Sequence, residues 1–170
     1  MSMNLDQTAD KITPTSGTLN IAATSILGTN GTVMVSGNMP AFSYYQSVAQ
    51  TLSNNTATKI TFTSQIFDTT GGMYASSRFT PTVSGYYQIN GRVGIATTAT
   101  NSTIYIYKNG SEYARGNDIA SSCYGVTMSN IVYLNGSTDY VEIYFSALVG
   151  QNTDARQVTT WFSGCMVRSA

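Results

Sequence analysis

Histidine is absent from the 170 residues, and with it go the commonest general base and the commonest transition-metal ligand. A Ser–His or Cys–His nucleophile is therefore impossible within one chain. Ser84-Gly85 and Ser163-Gly164 lack the flanks of a Gly-x-Ser-x-Gly elbow, so both serines read as turn and strand residues. Acid–base chemistry would fall to paired carboxylates, as in glycoside hydrolysis, and eight are available: Asp6, Asp10, Asp68, Glu112, Asp118, Asp139, Glu142 and Asp154. None forms a recognisable pair. Asp68, Asp118, Asp139 and Asp154 stand beside turn residues, where an Asp ordinarily accepts hydrogen bonds from backbone donors. Cys123 and Cys165 share no Cys-x-x-Cys spacing, which argues against a zinc site or a redox motif; we expect buried free thiols rather than a disulfide. A chain with this set of side chains is not expected to be an enzyme, to have catalytic residues or to hold a cofactor.

What remains is non-covalent contact. Only 9% of residues are charged, with Lys plus Arg and Asp plus Glu balanced at eight each, against ~25% charged in ordinary globular proteins. A neutral, charge-poor surface offers phosphates no extended attraction, so nucleic acid is not an expected partner. No apolar run approaches the ~20 residues that span a bilayer, so no membrane insertion is expected. Met1 to Asp6 lacks a charged and apolar leader, which points to synthesis in the cytoplasm. Twelve Tyr among many hydroxyls and amides can stack on sugars or pack against a partner at low entropic cost, although Tyr also simply suits strands.

The elements that must position such contacts are strands. Candidates recur between turn signals at 41-49, 58-67, 85-96, 103-108, 122-134, 139-146 and 158-168, with a short one at 112-116, and helical periodicity is nowhere convincing. Asn109-Gly110 is the clearest hairpin turn and Asn135-Gly136 the second, because Asn and Gly accept positive φ. In 140-145, Val141, Ile143 and Phe145 share a core face; Tyr140, Glu142 and Tyr144 face the other way, toward solvent or a subunit contact. Residues 1-40 contain no aromatic side chain and only short apolar alternations, Leu19 with Ile21 and Val33 with Val35. They form an attachment segment, either a linker or a stalk that orders when copies wrap together. A single domain follows, 41-170, at a length that buries ~70% of its unfolded surface.

Punctuation at set intervals marks the middle of that domain: Phe62-x5-Asp68-x4-Met73-x5-Phe79-x5-Gly85-x-Tyr87-x-Ile89. Phe79 is expected to plug the core and Gly85 to supply a turn with positive φ, while Tyr87, Ile89, Gly91, Val93 and Ile95 share one strand face. The pattern resembles the signature of the globular head of complement C1q, a family folded like tumour necrosis factor. Met73 stands where that family usually has an aromatic or Leu, five rather than six residues separate it from Phe79, and Ile89 replaces an aromatic. Ala41-Phe42-Ser43, Lys108-Asn109-Gly110 and Phe162-Ser163-Gly164 match the family's first strand, a mid-domain turn and its last strand, in that order.

The resemblance implies an all-β, ten-stranded jelly-roll β-sandwich that assembles as a homotrimer, with first and last strands adjacent and both termini at the base. Some members bind calcium near the trimer apex, so calcium is a possible ligand, although no EF-hand-like Asp pattern is present. If the last strand runs to the base, loops at about 97-102, 117-121 and 147-157 lie at the opposite end. They carry Asn101, Asp118, Gln151, Asn152, Asp154 and Arg156, a candidate binding surface for glycan or protein, or merely solvated turns. A leaderless chain with a recognition fold also resembles bacteriophage fibre proteins. The expected role is therefore a virion fibre or adhesin knob that recognises a host-cell surface, held to other virion proteins by residues 1-40. The alternatives are a structural decoration or tail-tip protein, or a secreted bacterial lectin.

Overall fold

The structure is a computed structural model that describes residues 27–28, 31–32, 39–69, 72, 74–148 and 152–170. Leu19, Ile21, Val33, Val35, Met73 and Gln151 therefore lie outside the described residues. Taken by itself, the N-terminal region shows one short antiparallel pair, β1 (Leu27–Gly28) with β2 (Gly31–Thr32).

Ten further strands build the sandwich: β3 (Ala41–Tyr45), β4 (Thr58–Lys59), β5 (Ser64–Asp68), β6 (Tyr74–Ala75), β7 (Arg78–Phe79), β8 (Gly85–Lys108), β9 (Ser111–Ile119), β10 (Cys123–Leu134), β11 (Val141–Leu148) and β12 (Trp161–Ser169). The first layer runs β10-β8-β12-β3-β5, all antiparallel, so the first strand of the sandwich lies beside the last. The second layer runs β9-β8-β11, with β4 and β7 sharing the far edge of β11 and β6 paired to β7. Every described element is a strand.

One strand serves both layers. Gly85 to Gly94 of β8 pair with β10, and as far as Arg92 also with β12, whereas Thr100 to Lys108 pair with β9 and β11; at the bend Ala99 still pairs with Cys123 of β10. The loop expected at 97-102 is therefore a corner within a continuous 24-residue strand. Thr97, Thr98, Thr100 and Thr103 favour extended backbone, and a left-handed Asn101 (φ 47°) lies just past the bend. Conversely, the strand expected at 58-67 breaks into β4 and β5, because Phe62 between them is drawn into the core.

The signature residues meet between the layers. Phe62, Phe79, Tyr87, Ile89 and Phe162 are all buried, with Phe42 as the hub: its ring lies 4.5 Å from Phe79 and 5.0 Å, edge-on, from Phe162. Tyr87 satisfies its buried hydroxyl by donating to the Val83 carbonyl at 2.7 Å. Alternation along β8 buries Tyr87, Ile89, Gly91, Val93 and Ile95 as expected. Gly85 is needed for a different reason than a turn. It lies at the start of β8 without positive φ, and a Cβ there would sit 2.4 Å from the Arg168 carbonyl oxygen, so close strand approach demands glycine. At Gly164 a Cβ would meet the Phe42 ring at 2.8 Å.

Asn109 (φ 53°) and Gly110 (φ 80°) form the two-residue turn between β8 and β9. Asn135-Gly136 is not a hairpin, since it carries the chain from β10 in one layer to β11 in the other. There the Asn135 Oδ1 accepts from the amides of Ser137, Thr138 and Asp139, each at 3.0 Å. Both cysteines are free, but neither is buried: Cys165 is exposed on β12 and Cys123 is half-buried.

Candidate functional site

The ends of the sandwich are distinct. At one end Ala170 donates to the Ser84 carbonyl, Met166 donates to the Pro40 carbonyl, and the Asn109-Gly110 turn packs beside Tyr140. This is the base, where residues 39-41 enter beside the departing last strand. The opposite, distal end is formed by the β8 corner, residues 120-122 and the described part of the loop before β12.

Six polar residues were expected to gather at the distal end. Asn152, Asp154 and Arg156 do, on the segment leading into β12. Asn152 Oδ1 accepts from Thr51 Oγ1 at 2.9 Å, and its carbonyl accepts from the Ala96 amide at 3.0 Å. The Asp154 amide donates to the Gly94 carbonyl at 2.9 Å, while its own carbonyl accepts from Thr159 Oγ1 at 2.8 Å and Thr160 Oγ1 at 2.6 Å. Arg156 Nε lies 2.7 Å from Asp154 Oδ1, and a second guanidinium nitrogen contacts the other carboxylate oxygen. That guanidinium holds the Asp154 carboxyl below its ordinary range, yet Arg156 remains 66% exposed along its side chain. Its outer edge is open to an incoming ligand.

Asn101 and Asp118 form a second group. The Asn101 amide donates to the Ala120 carbonyl at 3.3 Å. Asp118 lies on β9 rather than in a loop, where its Oδ1 accepts from Thr103 Oγ1 at 2.9 Å, because β9 continues to Ile119 instead of ending near 116. The two groups flank the β8 corner, one bonded to β8 at Gly94 and Ala96 and the other at Asn101 and Thr103. The arrangement is a rim, not one pocket. Among the described residues no three Asp, Glu or Cys side chains gather within reach of one ion.

Sequence reasoning missed the segment after β3 altogether. That strand ends at Tyr45 instead of 49, because Gln46 turns inward and is buried. Gln46 Nε2 donates to the Thr61 carbonyl at 3.1 Å, and its Oε1 accepts from Thr153 Oγ1. The Gln50 amide donates to Thr153 Oγ1 at 2.8 Å, and the Thr153 amide returns to the Gln50 carbonyl at 3.0 Å. This buried amide network fastens 46-57 to the loop before β12 and makes the rim a supported surface. Beyond the ends of β3 and β12 stand Val48 and Val158, the most exposed large apolar side chains among the described residues (73% and 74%). No breaker marked the turn at Gln46, since Ser43 to Val48 contains neither Gly nor Pro.

No protein-family profile matches the sequence, and no curated protein matches it in sequence. Solved structures do match in shape. Murine APRIL superposes with a TM-score of 0.62 at 8% identity, covering 76% of this chain and 100% of APRIL. The globular domain of zebrafish complement 1qA gives 0.54 at 15% identity, covering 77% of this chain and 99% of that domain. The PRD1 vertex protein P5 gives 0.54 at 17% identity, with 76% and 96% covered. The fold is the C1q/TNF-like jelly roll. Identities this low establish the fold alone; with the jelly roll in place, any function rests on the surfaces of this chain.

Proposed function

We propose that this chain is a virion fibre or adhesin subunit, a homotrimeric knob whose distal rim binds a glycan or protein on a host-cell surface. The observation that carries the reading is the outer face of the first layer. Cross-strand pairing lines up Ile131, Gln88, Cys165 and Ala41 in one row and Tyr133 with Tyr86 in the next, with Trp161 beside Tyr45 further up. Ile131 and Val167 remain 48% and 50% exposed, and Tyr86, Tyr133 and Phe67 are exposed beside them. The outward positions of β8 and β12 carry only Arg92 and Arg168 as charges. A sheet face this broad and uncharged suits burial about a closed threefold axis.

Such a trimer would direct the three rims to one end, and the base, where residue 39 enters, toward other virion proteins through residues 1-40. The likeness to a vertex protein of PRD1 supports a place on a virion. That same likeness favours a second reading, a vertex or decoration protein that stabilises the particle without binding a receptor.

The test is competition for adsorption. Purified trimer should block particle adsorption to host cells, and Asp154→Ala with Arg156→Ala should abolish the block while trimer mass stays unchanged. A double variant that competes as well as the parent, or a parent that never competes, selects the structural reading.

A further inference from the structure

Between β3 and β5 on one side and the β6–β7 hairpin on the other, the open edge of the sandwich holds a cavity of about 270 Å³, lined by Tyr44, Phe62, Thr63 and residues 74–77. None of the described rim residues lines it, although Thr63 contacts Ser47 of the supporting segment, and it has no part in the reading above. Two features single it out. The hairpin turns on Ser76 (φ 52°) and Ser77 (φ 58°), two consecutive left-handed residues where Asn-Gly is the unstrained choice. Strained backbone of this kind persists where something else holds it. For Ser77 the reason is visible: its buried hydroxyl accepts from the Phe62 amide at 2.7 Å and fixes the chain that feeds β5. Ser76 has no such partner among the described residues, and its exposed hydroxyl stands on the cavity wall.

The walls define what would fit. Tyr44 and Tyr74 stack on each other at 3.7 Å with planes 15° apart, so they cover one face of each other; Tyr74 and Phe62 are buried, and Tyr44 is the half-buried ring that reaches the space. Their hydroxyls are committed, Tyr44 to Asp68 at 2.8 Å and Tyr74 to the Phe62 carbonyl at 3.2 Å. Burial, reinforced by Asp68, pushes the Tyr44 phenol up to about 12, so it stays neutral at physiological pH. Among the described residues no Lys, Arg, Asp or Glu lines the space; of its hydroxyl residues Ser77 is committed to Phe62 and Thr63 contacts Ser47 at 3.4 Å, which leaves Ser76 as the free one. The volume lies just under the ~300 Å³ at which drug-sized pockets begin. We infer that this cavity is a subsite for one neutral hexopyranose ring, whose C–H face lies against the Tyr44 ring and one of whose hydroxyls bonds Ser76.

The experiment is nuclear magnetic resonance titration of the full chain with the methyl glycosides of glucose, galactose and mannose, and with glucuronic acid. At least one neutral glycoside should bind saturably with a Kd on the order of 1 mM, moving the Tyr44 and Tyr74 ring resonances. Glucuronic acid should bind more weakly than that glycoside, since Asp68 is close and no cation lines the wall. Ser76→Gly removes the hydroxyl and the backbone strain together, so it should weaken binding roughly three- to tenfold while the unfolding midpoint stays unchanged or rises. Ala75→Phe, which sets a ring across the mouth, should abolish binding. No saturable response to any neutral glycoside, glucuronic acid binding as tightly, or a Ser76→Gly protein of unaltered affinity would each overturn the proposal. Because the rim variants leave this cavity untouched, failure here and failure of adsorption are separate results.

Discussion

The outer faces of the two layers solve the same problem in opposite ways. In the second layer Glu142, only 2% exposed, is covered by its own chain, with Lys59 Nζ at 2.7 Å and Arg78 Nε at 2.9 Å. Arg78 lies 3.7 Å over the Tyr140 ring, and Tyr107 stacks on Tyr144 at 3.9 Å. That face is closed by cation–π and charge-assisted contacts of the protomer itself. The first layer has no such cover: apart from Arg92 and Arg168, the outward side chains of β8 and β12 are apolar or neutral. Two sheets of one sandwich thus differ in how far the protomer covers its own outer face, and the difference lies in which side chains stand opposite one another across strands.

The largest expected effects touch what both layers share. Phe79→Ala should cost about 3 to 5 kcal/mol in chemical denaturation, because the lost ring is wedged between Phe42 and Tyr87. A similar loss, about 3 to 5 kcal/mol at neutral pH, is expected for Lys59→Met combined with Arg78→Met, which strands the Glu142 charge in the second layer. A midpoint close to the parent would mean that the covered face is not sealed as described.

Association should respond to the other layer. Cys165→Glu, on the open face, should reduce the trimer to protomers in analytical ultracentrifugation, whereas Glu112→Lys, on β9 of the covered layer, should leave it intact. The reverse result would exchange the roles of the two faces. Gln46→Ala should cost about 1 to 3 kcal/mol by removing the acceptor of the Thr153 hydroxyl proton and the side-chain donor to the Thr61 carbonyl. Hydrogen exchange should quicken at 46-57 and not at the base.

The smallest effect separates base from rim by pH. Asp139 is held below its ordinary range by the Asn109 amide and by Lys108, with the Asn135 amide adding to both. Asp154 is lowered by Arg156. A depressed folded value means the unfolded chain binds more protons, so each contributes stability that is present above the ordinary carboxylate pKa, near 4, and is lost as pH falls through the folded value. Asp139→Asn should flatten that acid decline measurably. Asp154→Asn should change it less, because its partner Arg156 is largely solvated.

The core and its strands were legible because they depend on short-range alternation. Phe62, Phe79, Tyr87, Ile89 and Phe162 announced themselves by spacing, and Asn109-Gly110 by its need for positive φ. Asp118 and Gly85 were read in the wrong setting, since nothing local says that β9 runs on to Ile119 or that Arg168 crowds the start of β8. The rim was half legible: Asn152, Asp154 and Arg156 meet, but the segment that supports them enters through Gln46, a polar residue in a strand-like run.

By itself the sequence determined a chain of alternating strands, poor in charge and without histidine, because residue type and period act through neighbours two positions apart. Only the tertiary structure decided that one strand bends to serve two layers, that Glu142 is roofed by cations from β4 and β7, and that Ser76 lines a cavity. Those contacts join residues tens of positions apart, and their energies arise only once the layers close on each other.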